Sequence, residues 1–428
     1  MKQEPLDSGS EEFRTSRGES AMTDQLLAEI DALIERSSLG TEAARMLRER
    51  SDVEEVRPVI DRAASLSYDS FAIGIEILPY ELVGVLINHR GQILGRRRLL
   101  LPEMDVRRVV GYVAKVARDL ATTSLGADLP HPGVGIGVEL GGPVDTKTGT
   151  VTFYANHPTD PATRGPQQPY RWLNEKLAEL VGQETGCRIV LENDASAFAV
   201  HEQKFGVGRE AADYAVILIR DGVGCSMVVD NKLSTAPLEF GHVIVNPDGR
   251  ECECGQRGDI ESQAGRRAIR AVVREETGII ADDWEAAVEL AQGEGDQADK
   301  ALEAFRKAGE ATARGIATLV TLLGVPSVVI YAPEELAGPG GSSRVADTFQ
   351  RAVHGYSQYT FPPKRQCDIE MRPLKLTDGA HGAALLALNR IFSIHHASAP
   401  LNRSTSDGRA LPPSPRRESP SSQEGHRP

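Results

Sequence analysis

The first apolar pattern along the chain is helical. Leu26, Leu27, Ile30, Leu33 and Ile34 recur at spacings that place them on one helix face, and they predict helical pieces between 23 and 66. From Phe71 the period changes. Three apolar runs, Phe71–Ile77, Leu82–Ile87 and Ile93–Leu101, read as strands joined by short turns. A helix is predicted over 103–122 and a buried strand over Gly133–Val138. A loop-rich stretch covers 141–170, and a helix over 171–184 leads to a strand at Arg188–Leu191 and a helix at 195–205. Strands are then expected at Tyr214–Ile219 and Gly224–Val229, and helices dominate 261–323, with a long amphipathic one at 297–323. Strands at Ser327–Tyr331 and Asp368–Arg372 and helices at 342–355 and 379–392 complete the pattern.

Three meandering strands followed by alternating helix and strand, occurring twice, predict a two-lobed α/β architecture with a ligand-binding cleft between the lobes. The expected division is a disordered 1–21, a helical N-terminal segment over 22–70, lobes at 71–200 and 201–392, and a disordered tail over 393–428. Both ends are too polar to offset the entropy of ordering.

A chain of 428 residues exceeds one compact core. Its net charge of −13 argues against broad affinity for nucleic acid, which requires a basic surface. The segment 22–70 carries six basic against eleven acidic residues, and Pro58 falls inside its third helical piece. That balance disfavours a groove-binding helix. Five cysteines, two of them close together, suit a metal site or buried thiols in a reducing compartment better than a disulfide framework. No apolar run reaches membrane-spanning length and the N-terminus lacks a signal-peptide core, so a cytoplasmic location is expected.

Two stretches carry chemistry. His242, Cys252, Cys254 and Asp259 are spaced so that a loop can fold back around one ion, and two thiolates with an imidazole suit zinc. Gly255 and Gly258 supply the tight turns. The competing reading is a glycine-rich turn with two buried free thiols. The second stretch, Glu192-Asn193-Asp194-Ala195, follows an apolar strand and opens a helix. Asp194 there can act as a base toward a sugar hydroxyl, or the pair can simply cap the helix. Glu239, His242 and Glu261 add acceptors and an imidazole suited to ringing a polyol. Arg96-Arg97-Arg98 reads as a solvated strand edge or an anion contact.

The order Gly-Gly-Pro-Val-Asp (141–145), Glu-Asn-Asp-Ala (192–195), Gly-x-Gly (222–224), Glu-Phe-Gly-His (239–242) and Cys-x-Cys-Gly-x-x-Gly-Asp-x-Glu (252–261) resembles the ROK family. That family comprises sugar kinases and sugar-responsive repressors. The resemblance covers about 71–392 and implies an actin/hexokinase-like (ribonuclease H-like) fold. It implies Asp194 as catalytic base, Asn193, Asp194, Glu239, His242 and Glu261 as sugar contacts, and His242, Cys252 and Cys254 as zinc ligands, with Asp259 where the family has a third cysteine. It also implies a homodimer or higher homo-oligomer, and in repressor members an N-terminal DNA-reading module. Family kinases place Asp-x-Gly-Gly-Thr-Lys where this chain has Glu76-Ile77-Leu78-Pro79-Tyr80-Glu81. Arg220-Asp221-Gly222-Val223-Gly224 replaces a second glycine-rich loop, and Ala332-Pro333-Glu334-Glu335 replaces a Gly-Gly. Leu78 and Tyr80 are expected to fill phosphate space, with Glu76 and Glu81 of the wrong charge. ATP and magnesium are therefore not expected. The reading is a sugar-binding sensor or regulator, without a membrane partner. The alternatives are an active, glucokinase-like sugar kinase and a regulator that itself binds DNA.

Overall fold

The computed structural model describes residues 70–392, apart from 157–169, 235–237, 282 and 342. The ends predicted to be disordered, and the predicted helical segment up to Asp69, lie outside the described residues.

β1 (Phe71–Leu78), β2 (Glu81–Asn88) and β3 (Ile93–Leu100) form the antiparallel meander read from their apolar runs. The inner residues of β1 and β2 are buried on both faces, as expected of central strands. α1 (Val106–Leu125) follows. Asp105 caps it by accepting from the Arg107 and Arg108 amides, and Gly126 ends it in the left-handed conformation. β4 (Val134–Leu140) then pairs parallel with β1.

The segment read as loop and helix departs from expectation. β5 (Val144–Asp145), β6 (Thr150–Asn156) and β7 (Tyr170–Glu175) form a small antiparallel sheet. The next helix, α2 (Leu177–Thr185), starts later than predicted. Trp172 explains the strand. It is buried between exposed Arg171 and Leu173, stacks at 5.1 Å on Tyr154 and donates its indole N–H to the Met104 carbonyl at 2.8 Å. β8 (Arg188–Asn193) completes a sheet of order β3-β2-β1-β4-β8, and α3 (Asp194–Phe205) leaves its end.

The second sheet repeats the plan. β9 (Tyr214–Ile219), β10 (Val223–Val229) and β11 (Lys232–Leu233) form its meander. α4 (Glu261–Ala264), α5 (Arg266–Thr277), α6 (Trp284–Gln292) and the 28-residue α7 (Asp296–Leu323) follow. β12 (Ser327–Ala332), α8 (Glu334–Ala337), α9 (Arg344–His354) and β13 (Asp368–Pro373) give the order β11-β10-β9-β12-β13.

The last helix is α10 (Asp378–Ile391). It packs on β1, β4 and α3 of the first sheet, although it follows the second sheet in sequence. Three glycines let it lie that close. A Cβ on Gly74 would fall 1.8 Å from the Ala380 carbonyl oxygen, one on Gly137 1.9 Å from that of Ala383, and one on Gly382 2.0 Å from that of Ala197.

Candidate ligand cleft and metal knuckle

The cysteine loop is a knuckle built on glycine. Gly255 and Gly258 take φ of +90° and +75°, and a Cβ on Gly258 would fall 1.5 Å from the Asn246 carbonyl oxygen. Only glycine fits there. The turn brings four donor atoms within 4.8 Å of one another, one each from His242, Cys252, Cys254 and Asp259. His242 Nδ1 lies 3.1 Å from Asp259 Oδ2 and 3.7 Å from Cys252 Sγ, and Cys254 Sγ lies 3.4 Å from Asp259 Oδ2. Metal–ligand bonds of about 2.0–2.3 Å in a tetrahedron give edges of roughly 3.3–3.8 Å. These three separations are close to those of a zinc tetrahedron, and this cluster can hold a metal ion.

Asp259 is fully buried. Its other oxygen, Oδ1, accepts the Ser262 amide at 2.8 Å, which fixes the carboxylate in place. Burial alone would raise its pKa, but hydrogen bonds from Cys252, Ser262 and His242 outweigh that and lower it. Burial pushes the Cys252 thiol up in the metal-free protein. A bound cation would reverse that preference. His242 points Nδ1 into the cluster, which leaves Nε2 outside it.

The knuckle reaches the loop after β9 through Glu261. Its Oε2 accepts the Val223 amide at 3.0 Å, and a Cβ on Gly222 would fall 2.4 Å from that oxygen. The backbone N–H of this glycine-containing loop is thus engaged with protein. Glu239 is exposed, in the segment before the single 3₁₀ turn Phe240–His242.

Asn193 is the N-cap of α3. Its Oδ1 accepts from the Ala195 amide at 2.9 Å, and its Nδ2 donates to the Gly142 carbonyl at 3.0 Å. Asp194 follows as the first helical residue, buried, with Oδ1 also accepting from Ala195 at 2.8 Å. Gly141 and Gly224 approach its carboxylate, from the first and second sheets, to 3.4 Å and 3.8 Å measured from their ideal Cβ positions.

A group absent from the sequence expectations gathers around Asp194. Arg220, at the end of β9, forms an ion pair with Glu76 of β1 and lies 3.9 Å from Asp194 Oδ2. Its guanidinium carbon sits 5.3 Å from the centre of the Phe198 ring of α3. Glu139 of β4, the register partner of Glu76, is fully buried, and among the described residues its oxygens meet no hydrogen-bond partner beyond the Glu76 carboxyl. Burial first, then the charges of Glu76 and Asp194, push its pKa well above the usual carboxylate range. Burial raises Asp194 as well, with Arg220 opposing. Burial alone would lower the pKa of Arg220, but the three carboxyls outweigh it and keep the guanidinium charged. A single charged residue in each otherwise apolar strand, FAIGIEIL and VGIGVEL, was the available sequence signal for Glu76 and Glu139.

The β1–β2 turn is short. Pro79 and Tyr80 form a two-residue turn with Tyr80 at φ +61°. Tyr80 packs against the core of the first lobe and Leu78 against the core under α10. Glu81 forms a bidentate pair with Arg98 at 2.6 and 2.7 Å, so its charge is balanced locally. Arg97 pairs with Asp119 at 3.2 Å. A groove of about 540 Å³ lies beside the knuckle, lined by Cys252, Glu261, Arg267 and Arg274 among others, and does not include Asp194. No helix among the described residues is long and apolar enough to cross a membrane.

Comparison with known proteins places this geometry. The glucokinase of Thermotoga maritima is 32% identical over 208 residues, a match covering 47% of this chain and 60% of that enzyme. A ROK family glucokinase from Streptomyces griseus, solved with glucose and AMPPNP, superposes with a TM-score of 0.58 at 23% identity, covering 74% of this chain and 99% of that one. A ROK family transcriptional regulator, a homolog of the E. coli MLC protein, gives 0.57 at 20% identity, covering 76% and 79%. The two structural likenesses establish the actin/hexokinase-like fold. The ROK family model matches residues 72–390, three quarters of the chain, and the chain belongs to the ROK family.

Proposed function

We propose that this chain is a sugar-binding sensor or regulator that does not phosphorylate its ligand. The family joins sugar kinases to sugar-responsive regulators, and both occur among the relatives of this chain. Asp194, Asn193, Glu239, His242 and Glu261 are the proposed sugar contacts, with zinc at His242, Cys252, Cys254 and Asp259 as a structural ion. Zinc would fix the knuckle and so orient His242, whose Nε2 is left for a ligand. Arg220 carries the reading against catalysis. It pairs with Glu76 and faces Asp194, placing a fixed side chain between the two sheets where phosphate groups would have to approach. Phosphoryl transfer depends on positioned phosphates and their metal. The Val223 amide, a donor such a loop would offer, already serves Glu261.

Hexose phosphorylation is the second reading, favoured by the buried Asp194 at the mouth of α3. A coupled assay with ATP, Mg²⁺ and a panel of hexoses separates the two. The sensor reading expects no sugar phosphate. Turnover that disappears in Asp194→Asn would replace it with the kinase reading.

A further inference from the structure

Three carboxyls from the first sheet converge on one guanidinium from the second. Glu76 comes from β1, Glu139 from β4 and Asp194 from the first turn of α3. Gly379 of α10 closes the floor of the group: a Cβ there would fall 2.3 Å from Glu139 Oε1 and 2.8 Å from the Glu76 carboxyl. Glu139 is fully buried, and among the described residues its oxygens meet no hydrogen-bond partner beyond the neighbouring Glu76 carboxyl, a costly arrangement that packing alone does not explain. Oxygen-only ligands on rigid elements are the donor set of a hard divalent cation. Arg220, held by Glu76 and stacked on Phe198, stands where such an ion would sit.

We propose that Arg220 is a built-in cation: it fills a carboxylate-lined site for a hard divalent ion at the junction of the two sheets and keeps that site closed. The protein's own charge then joins the lobes and offsets part of the carboxylate charge without a metal–nucleotide complex. The inference draws on the proposed function only in treating the cleft as one that works without such a complex. Its test uses neither sugar nor nucleotide, so each fails on its own evidence.

Full-length chain, with its cysteine site loaded with zinc, is titrated with Mn²⁺ while free ion is followed by electron paramagnetic resonance. Wild type and Arg220→Lys are expected to leave Mn²⁺ free. Arg220→Gln is expected to take up about one ion per chain, roughly tenfold or more tighter than wild type, and to lose it again when Asp194→Asn is added. An Arg220→Gln chain that binds no more Mn²⁺ than wild type overturns the proposal. So does a wild-type chain that already binds Mn²⁺ and stops doing so in Asp194→Asn. Where Arg220→Gln does not fold, the Arg220→Gln/Glu76→Gln double variant decides. Matched removal of both charges should give a folded chain melting within a few degrees of wild type, and its failure to fold would contradict a role in neutralisation.

Discussion

Asp259 shows how one side chain can serve two geometries. One oxygen takes the Ser262 amide and the other faces His242 and Cys254, so the carboxylate is aimed before any ion arrives. Purified full-length chain is expected to carry about one zinc per chain by elemental analysis. Cys252→Ser should lose that zinc and melt lower. Asp259→Cys should bind zinc more tightly, because a third thiolate suits the ion better. Equal zinc content in all three would remove the site.

Two half-buried groups near α10 titrate in the same pH range with opposite effects on stability. Burial, then the neighbouring His381, lowers the His201 pKa to about 4. Its unfolded value is near 6.5, so the unfolded chain gains a proton first and stability falls as pH drops from about 6.5 to 4. Burial raises Asp378 to about 6. The native state then holds the extra proton, and stability instead rises as pH drops from about 6 to 4. Each contribution is on the order of 2–3 kcal/mol. Melting curves across this range should therefore show His201→Phe gaining stability toward acid and Asp378→Asn losing it. Parallel profiles for wild type and both variants would contradict the assignment.

At the scale of elements, α10 depends on what the strands beneath it lack. Gly74 and Gly137 leave room for its backbone, and a methyl at either would press on a carbonyl oxygen with no means of retreat. Gly137→Ala is expected to cost ~2–3 kcal/mol in denaturant unfolding. A neutral result would mean that α10 sits farther from the sheet than described. The same region marks the limits of legibility in the sequence. The central strands of both sheets were readable because buried strands form continuous apolar runs, and α7 because its apolar residues keep a helical period, whereas the two-residue β11 was too short to read. β7 was not readable, because among its described side chains only Trp172 is buried and the alternation is too brief to compete with a helical reading. The packing of α10 on the first sheet was hidden because it joins residues some 300 positions apart, as Gly74 and Ala380 are. The knuckle was legible because its donors are local. The Arg220–Glu76 pair, 144 residues apart, left no local trace beyond a lone charge in an apolar strand.

For the whole molecule, the two sheets meet at Arg220, and the knuckle is tied to that junction through Glu261. A ligand gripping Asp194 from the first lobe and His242 from the second would bias how the lobes sit, the kind of shift a regulator transmits. The most direct measurement is isothermal titration of one zinc-loaded sample, first with a panel of hexoses and then with AMPPNP–Mg²⁺. Saturable heat from a hexose, lost in Asp194→Asn, with none from the nucleotide at millimolar concentration, is the expected result. Saturable nucleotide binding, or no response to any sugar, would contradict it.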